Sequence, residues 1–149
     1  MGHRGMFARP ALEPEHPDAQ AHRHQMSYQL SQRFFFEAAH SLDKEIEKEA
    51  SRRIHGHTYW AELTIEGSPD AKTGMVMDLS QVRTMIDVVR DQLDHRMLNE
   101  VDGLGAPTLE NLCAYLWRHF ERQGCVPAKV TVRREAMGDS CALTKKTVG

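Results

Sequence analysis

A chain of 149 residues has room for one ordinary domain, and with 40% apolar and 27% charged residues its composition is globular, which excludes wholesale disorder. A formal net charge of −2 leaves no footprint for a nucleic-acid backbone, and no run of roughly eighteen apolar residues is available to cross a bilayer. The cysteines Cys113, Cys125 and Cys141 are odd in number and show no close pairing, which fits free thiols in a reducing, cytoplasmic compartment.

Residues 1–26 hold four of the nine histidines and three of the six prolines without apolar periodicity, so a disordered tail is expected ahead of a single domain over 27–149. From Tyr28 the parity changes. Tyr28, Leu30, Phe34, Phe36 and Ala38 share one face of a strand, and His40 keeps that parity where the strand runs out. After a charged segment from Asp43 to Arg53, a second strand is predicted from Ile54 to about Glu66, with Tyr59, Ala61, Leu63 and Ile65 on one side. His55 and His57 share that side.

Asp78 reads as an N-cap, and Leu79, Val82, Met85, Ile86, Val89 and Leu93 then recur at helical spacing, predicting an amphipathic helix that ends near His95. Pro107 and Thr108 open a second helix, whose stripe runs Leu109, Leu112, Cys113, Leu116, Trp117 and Phe120 before Gly124 closes it. The remainder predicts a hairpin, with Val130 and Val132 in one strand, Gly138-Asp139 in the turn, and Cys141 and Leu143 in the other. The order ββααββ gives an α+β fold, a four-stranded antiparallel sheet with two helices on one face. The other face is left bare, so a symmetric homo-oligomer is expected.

Alternate residues of a strand lie roughly 6.5–7 Å apart on one face, so His55-Gly56-His57 presents two imidazoles that can meet at one ion. If the first two strands pair as a hairpin, His40 comes opposite His55 and adds a third nitrogen. Three histidines with an open fourth position describe catalytic rather than structural zinc. Spacing alone equally permits three unrelated polar residues at strand ends.

In chain order, Phe36-Glu37-Ala38-Ala39-His40, His55-Gly56-His57-Thr58, Leu93-Asp94-His95-Arg96-Met97-Leu98-Asn99, Pro107-Thr108-Leu109-Glu110-Asn111 and a late Glu135 resemble the 6-pyruvoyl-tetrahydropterin synthase and 6-carboxytetrahydropterin synthase family, over about residues 28–147. The resemblance implies a tunnelling fold, with subunits assembled around a barrel, commonly as a homohexamer, and active sites between subunits. It implies a pterin triphosphate substrate, 7,8-dihydroneopterin triphosphate, and Zn2+ held by His40, His55 and His57 as a Lewis acid at the side-chain hydroxyls. Asp94 and His95 would form the proton relay, although a charged helix C-terminus explains the same pair. Glu135 resembles the pterin anchor and would share in the relay. Thr108 matches a pterin-site residue, yet an N-cap role accounts for it fully. Glu110 reads as a first-turn carboxylate, and Arg52, Arg53 or Lys44 as candidate triphosphate contacts in a charged loop.

One position departs from the pattern. The catalytic cysteine expected four residues before the His-Gly-His motif is Ser51. A thiol with a pKa of about 8.5 can become a thiolate beside a cation, whereas a serine hydroxyl stays protonated. Loss of a positioned base removes on the order of 10²–10⁴-fold in rate. Three accounts follow: His95, kept basic by Asp94, moves the protons alone; Glu49 or another loop carboxylate swings in; or the protein binds pterin without lyase activity. Cys141 is a small core residue before it is a displaced thiol. The expected function is a zinc-dependent lyase resembling 6-carboxytetrahydropterin synthase, on the route to 7-deazaguanine nucleosides such as queuosine. The alternatives are triphosphate elimination, as in 6-pyruvoyl-tetrahydropterin synthase, and a non-catalytic pterin binder.

Overall fold

The computed structural model describes residues 26–46 and 48–146; the tail expected over 1–26 lies outside the described residues apart from Met26. The long period-two runs form the two central strands, β1 (Tyr28–His40) and β2 (His55–Gly67), paired antiparallel from Tyr28 opposite Gly67 to His40 opposite His55. β2 also pairs with β4 (Lys129–Arg134), which pairs in turn with β5 (Asp139–Thr144), both antiparallel.

The sheet has five strands, not four. Arg96 and Met97 form β3, parallel to β1 at Ala38 and Ala39, so the order across the sheet is β3-β1-β2-β4-β5. A two-residue strand carries no alternation to read, and its place is fixed by the His95 N–H donating to the Glu37 carbonyl at 2.6 Å. The charged segment likewise contains a short helix, α1 (Lys48–Arg52), too brief to show a period.

The two predicted helices are α2 (Leu79–Leu93) and α3 (Leu109–Arg122), started by Asp78 accepting from the Ser80 N–H and by Thr108 accepting from the Asn111 N–H. The inward residues of β1, β2 and β4, among them Phe36, Tyr59, Leu63 and Val132, are sealed against Val89 and Leu93 of α2 and Leu112, Leu116 and Phe120 of α3. Full burial of each large side chain contributes about 1.5–3 kcal/mol. Tyr28, expected on the apolar face, lies at the fraying start of β1 and is 62% exposed. The final connection is a 3-10 turn over Glu135–Met137 closed by Gly138 in the left-handed region, with Asp139 already paired to Arg134.

The outward face carries Phe35 packed against Trp60 at 5.2 Å with the rings tilted by 45°, Arg33 over Trp60 and Arg90 over Phe35. The edge of α2 reaches it through Arg90, and Phe35 remains 42% exposed. Among the described residues no helix is long and apolar enough to cross a membrane.

Candidate metal centre and its surroundings

Register decides which histidines meet. His40 is directly opposite His55, and His57 is two residues further along the same face, so all three rings point inward at the paired ends of β1 and β2. Their Nε2 atoms converge, with His40 3.0 Å from His55 and 3.1 Å from His57. All three ligand atoms lie within 4.8 Å of one another.

The far side of two rings fixes the tautomer. His40 Nδ1 donates to the Pro107 carbonyl at 3.1 Å and His55 Nδ1 to the Arg53 carbonyl at 2.7 Å. A carbonyl only accepts, so each Nδ1 carries the proton and each Nε2 turns a lone pair inward. Two such lone pairs cannot hydrogen-bond to one another; they repel unless a cation stands between them. A tetrahedral zinc with metal–nitrogen distances of about 2.0–2.1 Å requires nitrogens roughly 3.3 Å apart, so this donor set fits the ion.

Burial favours the neutral form of His40 and His57. It is the main cause that lowers the pKa of His57 to about 4, with the neighbouring His40 adding to it, and it lowers that of His40 as well. The Tyr59 hydroxyl, 3.4 Å from His40 Nδ1, is pushed up to about 12 by its own burial. In the metal-free protein, unfolded His57 takes up a proton near pH 6.5 that the folded ring refuses until about pH 4. Stability is therefore full above pH 6.5 and falls as the pH drops towards 4. Thermal melts in the presence of a chelator are expected to follow that slope; a Tm flat across the window would contradict it.

Asp94 and His95 make no hydrogen bond to the trio among the described residues. They follow α2 at the β3 edge, with His95 in the left-handed region at φ 57° and its side chain 77% exposed. One Asp94 oxygen accepts the Glu37 N–H at 2.9 Å; the other lies 3.0 Å from His95 Nδ1 and 3.4 Å from the Arg90 guanidinium. The Glu37 N–H is the main cause holding the Asp94 carboxyl below its usual range. Asp94 thus fixes one ring nitrogen of His95 and leaves Nε2 free, in an open cleft of about 540 Å³ shared with Glu37, Gly56, His57 and Thr58.

On the other side of the trio, His40 and Tyr59 line a smaller cavity of about 180 Å³ with Lys44, Thr108, Glu110 and Arg134. Two of these were unforeseen. The first-turn carboxylate Glu110 is brought to the cavity wall beside His40, and Arg134 lines that cavity because it shares the inward parity of Val130 and Val132, a signal that the alternation of β4 already held. Glu135 is not brought here: one residue on, its exposed carboxylate lies 3.8 Å from Arg33 of the outward face. Ser51 is buried at the end of α1, its carbonyl accepting from Leu42 N–H at 2.7 Å. Glu49 is exposed on α1, and Arg52 is engaged with Asp43 at 3.0 Å. Cys113 is buried, its thiol pushed up to about 12, and donates to the Cys141 carbonyl, so this pair belongs to the core.

Comparison with known proteins bears on what the centre does. The model of the family described as 6-pyruvoyl tetrahydropterin synthase matches residues 29–144. A 6-carboxy-5,6,7,8-tetrahydropterin synthase of Synechocystis sp. is 36% identical over 96 residues, spanning 61% of this chain and 73% of that protein. A dihydroneopterin monophosphate aldolase of Pyrococcus furiosus is 32% identical over 109 residues, spanning 73% of this chain and 87% of the relative. The structure of Caenorhabditis elegans 6-pyruvoyl tetrahydropterin synthase superposes with a TM-score of 0.67 at 22% identity, covering 81% of this chain and 97% of that one, a likeness of fold.

Proposed function

The chain belongs to the 6-pyruvoyl tetrahydropterin synthase family of pterin enzymes and has its tunnelling α+β fold, and from that premise we propose that it is a zinc-dependent lyase acting on 7,8-dihydroneopterin triphosphate in the manner of 6-carboxytetrahydropterin synthase. The observation that carries this reading is the set of inward lone pairs on His40, His55 and His57, two of them enforced by carbonyls behind the rings. When bound, the cation supplies Lewis acidity at the oxygens of the substrate's side chain. The chain's own residues supply the rest. Asp94 keeps the proton of His95 on Nδ1, so Nε2 is the lone pair that takes a proton from the substrate and returns it. Glu135 keeps the role of pterin anchor that the resemblance implies, accepting from the amino and ring N–H groups of a pterin, while Glu110 lines the small cavity beside His40. Thr108 caps α3 at the wall of the same cavity.

The part-exposed aromatic outward face and the exposed His95 support a homo-oligomer, a homohexamer in the family's manner, with sites completed between subunits. The free thiols among the described residues support a cytoplasmic setting.

Ser51 favours a second reading. Without the expected thiol, the chemistry is either aldol-type cleavage, as the name of the Pyrococcus furiosus relative suggests, or binding without turnover. Mass spectrometry of products from the zinc-loaded enzyme separates these. Acetaldehyde with a 6-carboxypterin supports the first reading, glycolaldehyde with a hydroxymethylpterin supports an aldolase, a retained pyruvoyl chain supports elimination, and tight binding with no turnover over hours supports a binder. In the same assay Ser51→Cys is expected to raise turnover, by up to about 100-fold, if a base is what Ser51 lacks. Unchanged turnover would mean that His95 or another group has taken over.

A further inference from the structure

We propose that Arg134 makes the small cavity beside His40 an oxyanion subsite, holding a phosphate ester or a carboxylate on the side chain of the bound pterin. The inference rests on the pterin reading above and adds the group that this chain selects. Its first support is parity. Val130 and Val132 are fully buried on the inward face, so the next inward position at the end of β4 belongs to Arg134. The nearby Glu135 points to Arg33 instead.

The second support is the hydrogen-bonding state of the guanidinium. Its side chain is only 15% exposed, and Asp139, opposite it across β4 and β5, takes one terminal nitrogen. Nε is shut off from water and has no acceptor among the described residues. A guanidinium is a planar fork made for a two-oxygen acceptor, and a single carboxylate contact leaves most of it unused. Arg134 also lines the cavity that holds His40, Tyr59, Thr108, Lys44 and Glu110.

Charge balance points the same way. Asp139 and Glu110 offset Arg134 and Lys44, so the surroundings are neutral until a divalent cation joins the trio. The added positive charge is then offset by an anionic ligand, and Arg134 is the buried donor next to it. A purely structural role, closing the β4–β5 connection through Asp139, is the competing explanation.

The test measures binding to the full-length zinc-loaded protein by calorimetry, using oxidised pterins that do not turn over: neopterin, neopterin triphosphate and 6-carboxypterin. An oxyanion-bearing pterin is expected to bind about tenfold or more tighter than neopterin. Arg134→Gln is expected to reduce that preference to about twofold while neopterin binds as before. Asp139→Asn, which breaks the same pair but keeps the cation, is expected to retain it. Should Arg134→Gln alone fold poorly, the double variant Arg134→Gln, Asp139→Asn leaves no unpaired carboxylate and must lose the preference likewise. Preference for the triphosphate identifies a phosphate as the occupant; preference for 6-carboxypterin identifies a carboxylate. The proposal is overturned if the preference survives without Arg134, or if Asp139→Asn abolishes it too. Neopterin affinity in the unaltered protein reports on the pterin reading by itself: no binding of any pterin defeats both, whereas binding without preference defeats only this one.

Discussion

Replacing His55 with alanine is expected to release the metal and abolish turnover while leaving the fold intact. His55 is the first residue of β2 and only half-buried, so its truncation opens no core cavity of the kind that destabilises a domain. What it removes is one of three inward lone pairs. Mutating a partner that merely orients a ligand weakens metal affinity about 10–100-fold, so loss of the ligand itself should exceed about 100-fold. Dialysis into a zinc-buffered solution, then metal analysis and circular dichroism, is the direct measurement. His119→Ala makes the matched control, since that ring stacks on Tyr115 of α3 at 4.3 Å and is no part of the trio. If His55→Ala keeps stoichiometric zinc, the convergence of the Nε2 atoms has been misread. If it loses zinc and still turns over at the original rate, the centre is structural rather than catalytic.

The trio could be read from the sequence because it needs only two facts, alternation along each strand and a hairpin register that brings His40 opposite His55, and both are short-range properties of long period-two runs. α2 and α3 were legible for the same reason, through caps at Asp78 and Thr108 and stripes that recur over several turns. β3 was not, because two residues hold no pattern and their pairing depends on where α2 ends. Glu110 and Arg134 fell between these cases. Each was visible as a charge, but whether it faced solvent or His40 depended on α3 and β4 ending at one corner of the fold, a tertiary fact that no local window contains. Glu135 matched the motif by residue type, but it stands one residue past the inward parity of β4, with its carboxylate near Arg33, a placement that depends on the turn after the strand. Ser51 was legible as a departure, and its burial at the end of α1 was not.

His95→Gln is expected to lower turnover by about 10²–10⁴-fold without disturbing zinc content or pterin affinity, because it removes a proton carrier and none of the metal's ligands. The carrier is well prepared for that role. Asp94 is held ionised chiefly by the Glu37 N–H, so its grip on His95 Nδ1 persists through the ordinary carboxylate range and is lost only as pH falls through its lowered pKa. Yet His95 hydrogen-bonds to none of the three imidazoles among the described residues, and its ring faces solvent at the β3 edge. A catalytic ring so placed makes sense if it serves the metal of a neighbouring subunit across a head-to-tail interface, in which one copy lends His95 and the next lends the trio. Co-assembling His55→Ala with His95→Gln tests this, since neither variant alone is expected to keep more than about a hundredth of the original turnover. In a random equal mixture about a quarter of such shared sites would join an intact trio to an intact His95, whereas sites built within one chain would recover nothing. Recovery near that fraction, measured after the two are refolded together and absent when they are simply mixed as assembled oligomers, is the result expected. A dead co-assembly that still binds zinc at half of its sites would instead make the relay and the trio parts of one subunit, brought together by movement of the β3 edge.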